Sequence, residues 1–245
     1  MRTYRAELHV HTVLSPCAAV EMIPPLIVEE AITQGIELLA VTDHNASANA
    51  NAVMQAAKGS PLRVLPGMEL QTREEVHLLC LFDTLEQLAT WQKRVDALLP
   101  NITNNIEYFG EQFVVDAAGE FIRREERLLL NSVDIELERA AKEVTALGGL
   151  AIPAHVDRKA NGLLEILGLV PAGFEALELS RHIDPQSARQ KYPQLQSATL
   201  LQSGDVHLLD GFLGKTEFEM ETASIAEIRL ALQGQGGRSM QIRRS

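Results

Sequence analysis

Histidines and acids in this chain gather at the ends of short apolar runs: Glu7, His9 and His11, then Asp43 and His44, then Glu69, His77, His155, Asp205 and His207. Six of the seven histidines take part. A strand that ends in His or Asp presents a ligand at the rim of a sheet, and several such strands converging build a polynuclear metal site. His9-Val10-His11 is the most telling pair, because residues two apart on a strand point the same way. Asp205 and His207 repeat that spacing. Divalent ions that activate water need imidazole and carboxylate ligands with coordination positions left open. A carboxylate can also bridge two ions, and Glu69 suits that role because Gly67 lets the backbone turn beside it. The leading reading is a metal-dependent hydrolase.

Such ligands need a scaffold, and the spacing of apolar runs supplies one. Strands are expected at Arg5–His11, Leu38–Thr42, Arg63–Glu69, Val76–Phe82, Leu150–Pro153, Ala176–Leu179 and Thr199–Gln202, with a last at Lys215–Met220. Between them lie helical stretches: one opened by Pro24-Pro25, one in Ala46–Lys58, one capped by Asp83, one running from Ser132 to Leu147 and one opened by Ser224. Strands alternating with helices argue for a parallel α/β architecture, whose chemistry sits at the carboxyl ends of the strands. The whole chain, 1–245, reads as a single domain, with an insertion or lid holding a small hairpin at about 101–130 and a loosely ordered tail at about 234–245.

Composition bounds the function. The chain has 245 residues, 46% apolar and 22% charged, as a soluble globular protein does. A net charge of -11 weighs against nucleic acid or an anionic membrane as partner. A cluster of cations would still create a local positive site. Cys17 and Cys80 are too few for a disulfide framework, and with no signal-peptide pattern the expected location is cytoplasmic.

The strings HVHT (9–12), TDHN (42–45), PGMEL (66–70), VHLLCLF (76–82), AIPAHVD (151–157) and GDVH (204–207) together resemble the PHP (polymerase and histidinol phosphatase) family. LSPCA and GGLAIPAHVDR look most like its stand-alone metal-dependent phosphoesterases. The resemblance implies a distorted (β/α)7 barrel holding two to three divalent ions (Mn, Fe or Zn). It implies that His9, His11, Glu69 and Asp205 hold one ion, Glu69, His77 and His155 a second, and His44 and His207 a third. Many members place an Asp shortly after the first motif; here Ser15-Pro16-Cys17 stands there, leaving Glu21 as the nearest acid and Cys17 as another candidate.

The implied reaction is phosphoester hydrolysis, with Glu69, Asp205 and His207 at the chemistry and His207 or a metal-bound water as the acid for the leaving oxygen. Arg158 and Arg181 each follow a strand end and suit phosphate clamping. Asn45 would orient His44 or bind substrate, and Asp43 would cap a helix or support a ligating imidazole. Glu7 reads as a strand-face charge, His182 as a surface residue, and Tyr108, Phe109 and Phe113 as packing within the insertion. The expected substrate is a small phosphorylated metabolite or nucleotide, with nucleic acid and membrane not expected and the oligomeric state not specified. The alternatives are a 3′–5′ exonuclease, a PHP domain without catalysis, and C–N or C–O hydrolysis at an amidohydrolase-like site.

Overall fold

A computed structural model describes residues 1–243; Arg244 and Ser245, part of the expected tail, lie outside the described residues. Its strands are β1 (Arg2–Val10), β2 (Leu38–Val41), β3 (Arg63–Gln71), β4 (His77–Leu81), β5 (Phe113–Val115), β6 (Phe121–Arg124), β7 (Leu150–Pro153), β8 (Leu177–Leu179), β9 (Leu200–Gln202), β10 (Thr216–Met220) and β11 (Ser239–Ile242). The helices among the described residues are α1 (Pro24–Thr33), α2 (Ala50–Ala56), α3 (Leu85–Asp96), α4 (Ile106–Phe109), α5 (Leu137–Ala146), α6 (Leu163–Leu167), α7 (Pro185–Lys191) and α8 (Ile225–Leu232).

Seven strands form one curled sheet in the order β11-β10-β1-β2-β3-β4-β7, and β8-β9 stand beside it as a parallel pair. The result is the expected α/β barrel in distorted, incompletely closed form. Between the pair and β1 runs the bridge Val10–Val206. Pairing is parallel only along β1-β2-β3 and β8-β9; β4 runs antiparallel to both β3 and β7, and β10 antiparallel to β1. The departure from an all-parallel sheet follows from chain length. Residues 72–76 between β3 and β4 make a tight turn, with the Thr72 N–H donating to Val76 and Glu75 at φ +66°. A parallel crossover needs a dozen residues or more, so the chain can only reverse. His77 therefore reaches the ligand rim by beginning a strand, not by ending one.

Alternation along the strands divides the core into two layers. Leu39 and Val41 face the helices, whereas Leu38 and Ala40 fill the barrel interior with Leu79, Leu81, Ile152 and Phe218. Both faces of β2 are buried, which is why it reads as a continuous apolar run. The register of β1 against β2 shifts between Glu7 and Val10, so Ala6 and Leu8 pack inside while Val10 joins the outer layer. That irregularity re-aims the strand at His9.

Several local readings need correction. The tail is not loose throughout, because Ser239–Ile242 pairs with β10 as β11. Thr84, not Asp83, caps α3 through a reciprocal capping box with Gln87, and Asp83 instead accepts the Ile225 N–H. Helix α5 begins at Leu137, well after Ser132, where Glu74 accepts its first N–H. Segment 101–130 contains the β5-β6 hairpin, whose Phe113 N–H donates to Val13 and so ties it to the loop after β1.

Candidate metal centre

Five imidazoles surround one buried carboxylate at the rim of the sheet. Glu69 Oε1 lies 3.2 Å from His9 Nε2, 2.8 Å from His77 Nδ1 and 3.2 Å from His155 Nε2. Its Oε2 lies 3.3 Å from His11 Nε2 and 3.0 Å from His44 Nδ1. Asp205 Oδ1 completes the ring, 3.3 Å from His9 Nε2, 3.4 Å from His11 Nε2 and 3.3 Å from His207 Nδ1. Three overlapping groups are compact enough to share an ion: His9-His11-Asp205, His44-Glu69-His77 and His11-His44-His207. Of the expected ligand residues, His44, Glu69, His77, His155, Asp205 and His207 line one cavity, and His9 and His11 stand behind it against Glu69.

The donor set fits divalent ions. His44 Nδ1, His77 Nδ1 and Glu69 Oε2 are buried with no hydrogen-bond partner, although His44 Nδ1 lies 3.0 Å from Glu69 Oε2 and His77 Nδ1 2.8 Å from Oε1. Each buried polar atom left so costs about 1–3 kcal/mol, a cost that a cation at the point they converge upon would remove. Meanwhile the far ring nitrogens are mostly engaged, which sets the tautomers. His9 Nδ1 donates to Glu178 (2.9 Å), His11 Nδ1 to Ser15 Oγ (2.9 Å) and His207 Nδ1 to the Asp205 carbonyl (2.9 Å). The free nitrogens then face inward, as ligating imidazoles require.

The elements that hold these side chains also explain them. His155 and Asp205 sit at positive φ, +29° and +51°, just past the ends of β7 and β9. Strained backbone of this kind persists where surrounding contacts over-determine it. Glu7 provides such contacts, accepting the N–H groups of Gly204 (2.6 Å), Leu213 (2.7 Å) and Gly214 (2.9 Å) and so clamping the loop that carries Asp205 and His207. It is fully buried rather than a strand-face charge, and burial pushes its pKa up to about 7 against those three donors. Asp43 accepts from Thr12 N (2.7 Å), Thr12 Oγ1 (2.8 Å) and Ser15 Oγ (2.7 Å), and so supports His11 through the Ser15 hydroxyl.

Glu178 is the residue that sequence reasoning missed. Buried in β8, it accepts from His9 Nδ1 and from the His155 N–H (3.1 Å), linking two imidazoles that meet Glu69 from different strands. Its signal was a single acid between Leu177 and Leu179 in an otherwise apolar run.

Charge is unevenly spread. Burial opposes protonation of His9 and His44, but the Glu69 charge outweighs it; His9 is raised well above the ordinary imidazole range and His44 to about 9. Burial prevails at His77, lowered to about 4, and at His207, lowered to about 3. Despite its burial, Glu69 is held well below the usual carboxylate range by His77, His9 and His44.

Three expectations change here. His207 is held neutral with its Nδ1–H committed to the Asp205 carbonyl, so it suits a ligand better than an acid. Asn45 is buried with its amide donating to Leu129 (2.7 Å) and Asn131 (2.8 Å) and accepting the Gln71 N–H (2.9 Å), so it ties loops together and has no amide N–H left to offer a substrate. Glu21 is exposed and belongs to none of the ligand groups, because the turn before α1 directs it outward, whereas Cys17 lines the cavity. Arg158 lines the cavity with Nη1 2.5 Å from Asp205 Oδ2, while Arg181 lies in the adjoining cavity.

A family model for the PHP domain matches residues 7–228. The chain belongs to the PHP domain family. Its His/Glu/Asp cluster is capable of binding metal ions. No curated protein matches the PHP chain in sequence. Among solved structures it is similar to the lesion-specific endonuclease PfuEndoQ from Pyrococcus furiosus, with TM-score 0.70 and 22% identity over 98% of this chain and 58% of that one. It is similar as well to an endonuclease Q in complex with a 27-mer duplex bearing an abasic lesion at the active site, with TM-score 0.69 and 21% identity over 97% of this chain and 58% of that one. A protein assigned as a metal-dependent phosphoesterase from Bifidobacterium adolescentis matches at TM-score 0.56 and 16% identity over 83% of this chain and 87% of that one.

The endonuclease complex overturns one expectation. Nucleic acid does not stand excluded as a partner, since the endonuclease that matches nearly all of this chain is bound to a 27-mer duplex with an abasic lesion at its active site. Net charge sums over the whole surface, whereas a phosphate meets only the local field of cations and arginines at the rim. No helix among the described residues is long and apolar enough to cross a membrane.

Proposed function

We propose that this PHP domain is a phosphodiesterase acting on nucleic acid through two to three divalent ions held around Glu69. The observation that carries the reading is the convergence of five imidazoles on the two oxygens of that one carboxylate. The likeness to the endonucleases over nearly the whole chain supports the choice of substrate. His9, His11, Glu69 and Asp205 would hold one ion, Glu69, His77 and His155 a second, and His44 and His207 a third. Bound there, the ions would supply Lewis-acid activation of water and neutralise charge on the phosphoryl oxygens.

The chain's own residues do the rest. Glu178, Ser15 and the Asp205 carbonyl fix which ring nitrogen of His9, His11 and His207 faces the ions. Glu69 spans both halves of the cluster with its two oxygens. Arg158 stands half-exposed at the cavity wall, held by Asp205 Oδ2, where its remaining N–H donors can take the scissile phosphate in planar, bidentate fashion. Leu130 and Gln71 line the same cavity.

Protein loaded with Mn²⁺ should hydrolyse bis(4-nitrophenyl) phosphate and short DNA oligonucleotides. Turnover confined to phosphomonoesters such as sugar phosphates, with no phosphodiester cleaved, would refute the proposal.

A further inference from the structure

The Arg158–Asp205 pair is a wall between two cavities. The metal-centre cavity, of about 380 Å³, lies on one side. On the other, a cavity of about 270 Å³ shares His155, Arg158 and Asp205 with it and continues past Ser180, Arg181 and His182. This second space is smaller than the roughly 300–1,000 Å³ of pockets that enclose a whole small molecule. Its size suits one part of a longer chain whose remainder occupies the neighbouring cavity.

Its outer end is cationic and rigidly based. Ser180 is pinned at the end of β8, donating its N–H to Asp157 Oδ1 (2.7 Å) and its hydroxyl to Oδ2 (2.6 Å), while its carbonyl accepts from Gln202 Nε2 (2.6 Å). Arg181 and His182 follow directly on that anchor. Arg181 Nη1 donates to the Gly211 carbonyl (3.2 Å), and among the described residues no carboxylate pairs with it. Its side chain lines the cavity with further N–H donors available to an anion. The carboxylates of that cavity are both committed inward: Glu178 Oε2 takes His9 and His155, and Asp205 takes Arg158, His9 and His11. Glu178 Oε1 has no partner and marks the inner end as a place for a donor group, not a phosphate.

We propose that Arg181 and His182 form a subsite for the phosphate next to the scissile one, so that the protein grips two successive phosphates of a nucleic-acid strand across the Arg158–Asp205 wall. The subsite rests on the phosphodiesterase reading and deepens it. Planar guanidinium at the outer end and a shared wall with the reacting centre are the features a polymeric diester needs and a lone ester does not use.

The test compares a five-nucleotide DNA with bis(4-nitrophenyl) phosphate, which has no second phosphate, using the full chain with Mn²⁺. Arg181→Ala should raise KM for the oligonucleotide about ten- to a hundredfold more than KM for the aryl diester, as loss of one or two charge-assisted hydrogen bonds would. The slope of log KM against log salt for the oligonucleotide should fall by about 0.7, the mark of one lost phosphate contact on a single strand. Arg181→Lys, which keeps the charge but not the fork, should retain the salt slope and lose part of the affinity. Equal effects on both substrates, or none on either, overturn the subsite. Wild-type protein that cleaves the aryl diester but not the oligonucleotide overturns the subsite and the nucleic-acid substrate together, and leaves only the diester chemistry standing. Wild-type protein that cleaves neither overturns the phosphodiesterase reading, and the subsite falls with it.

Discussion

Glu178 belongs to none of the three ligand groups, yet its removal should cost the protein much of its metal. Its Oε2 accepts from His9 Nδ1 at 2.9 Å and from the His155 N–H at 3.1 Å, in a position sealed from solvent. Truncation in Glu178→Ala frees His9 to adopt the other tautomer and leaves two buried donors without an acceptor. Removal of a carboxylate behind a ligating imidazole costs about 10–100-fold in metal affinity or activity. With two bonds lost, the Ala variant should sit near the upper end, about a hundredfold, or roughly 2.7 kcal/mol. Glu178→Gln keeps one acceptor oxygen and should lose about tenfold. The assay is a Mn²⁺ titration of metal-free protein, followed by calorimetry and by hydrolysis of bis(4-nitrophenyl) phosphate. Saturating Mn²⁺ should restore most of the activity in both variants, because the ligands themselves are intact. Unchanged affinity in Glu178→Ala, or a loss of activity that saturating metal does not relieve, would refute the positioning role.

Three further outcomes follow from the same geometry. His44 is raised to about 9 in the metal-free protein, so at pH 7 it carries a proton that a metal ion must displace. Affinity should therefore rise with pH, by about tenfold per unit for one released proton between neutrality and pH 9, and calorimetry in buffers of different ionisation enthalpy should show that release; a pH-independent affinity contradicts the assignment. In the metal-free protein the same His44 contributes stability that is full below pH 6.5 and lost as pH rises through about 9. Glu7→Gln replaces one of the two accepting oxygens with an NH₂ that opposes at least one of the three backbone N–H donors and should destabilise the fold by about 1–3 kcal/mol in urea unfolding, with no change meaning that the clamp on residues 204–214 is dispensable. Asn45→Ala should reduce stability by about 1–3 kcal/mol while leaving KM unaltered, and a raised KM would return Asn45 to the substrate.

The sequence showed the ligands more clearly than the frame that aims them. His9, His11, His44, Glu69, His77, His155, Asp205 and His207 all stand next to apolar runs, and the structure places all of them about one cavity. Strand direction was harder, because an apolar run has no arrow: only the shortness of residues 72–76 reveals that β4 must run backwards. Burial of single acids was harder still. Glu7 and Glu178 each sit in a strand where an outward charge is the ordinary reading, and their partners come from residues 197 and 169 positions away. Asn45 was misread for a related reason, since its neighbour His44 made it look functional while its amide is consumed by the 129–131 segment.

The claim on which everything else depends is that Glu69 joins the two halves of a polynuclear centre. Elemental analysis of wild-type and Glu69→Ala protein after reconstitution with Mn²⁺, Fe²⁺ or Zn²⁺ tests it most directly, with circular dichroism to establish that both are folded. Wild-type protein should retain about two or more equivalents of metal and the variant no more than about one, because two of the three ligand sets lose a member. Wild-type protein that is folded yet takes up none of these metals, or a variant that holds as much as wild type, contradicts the account.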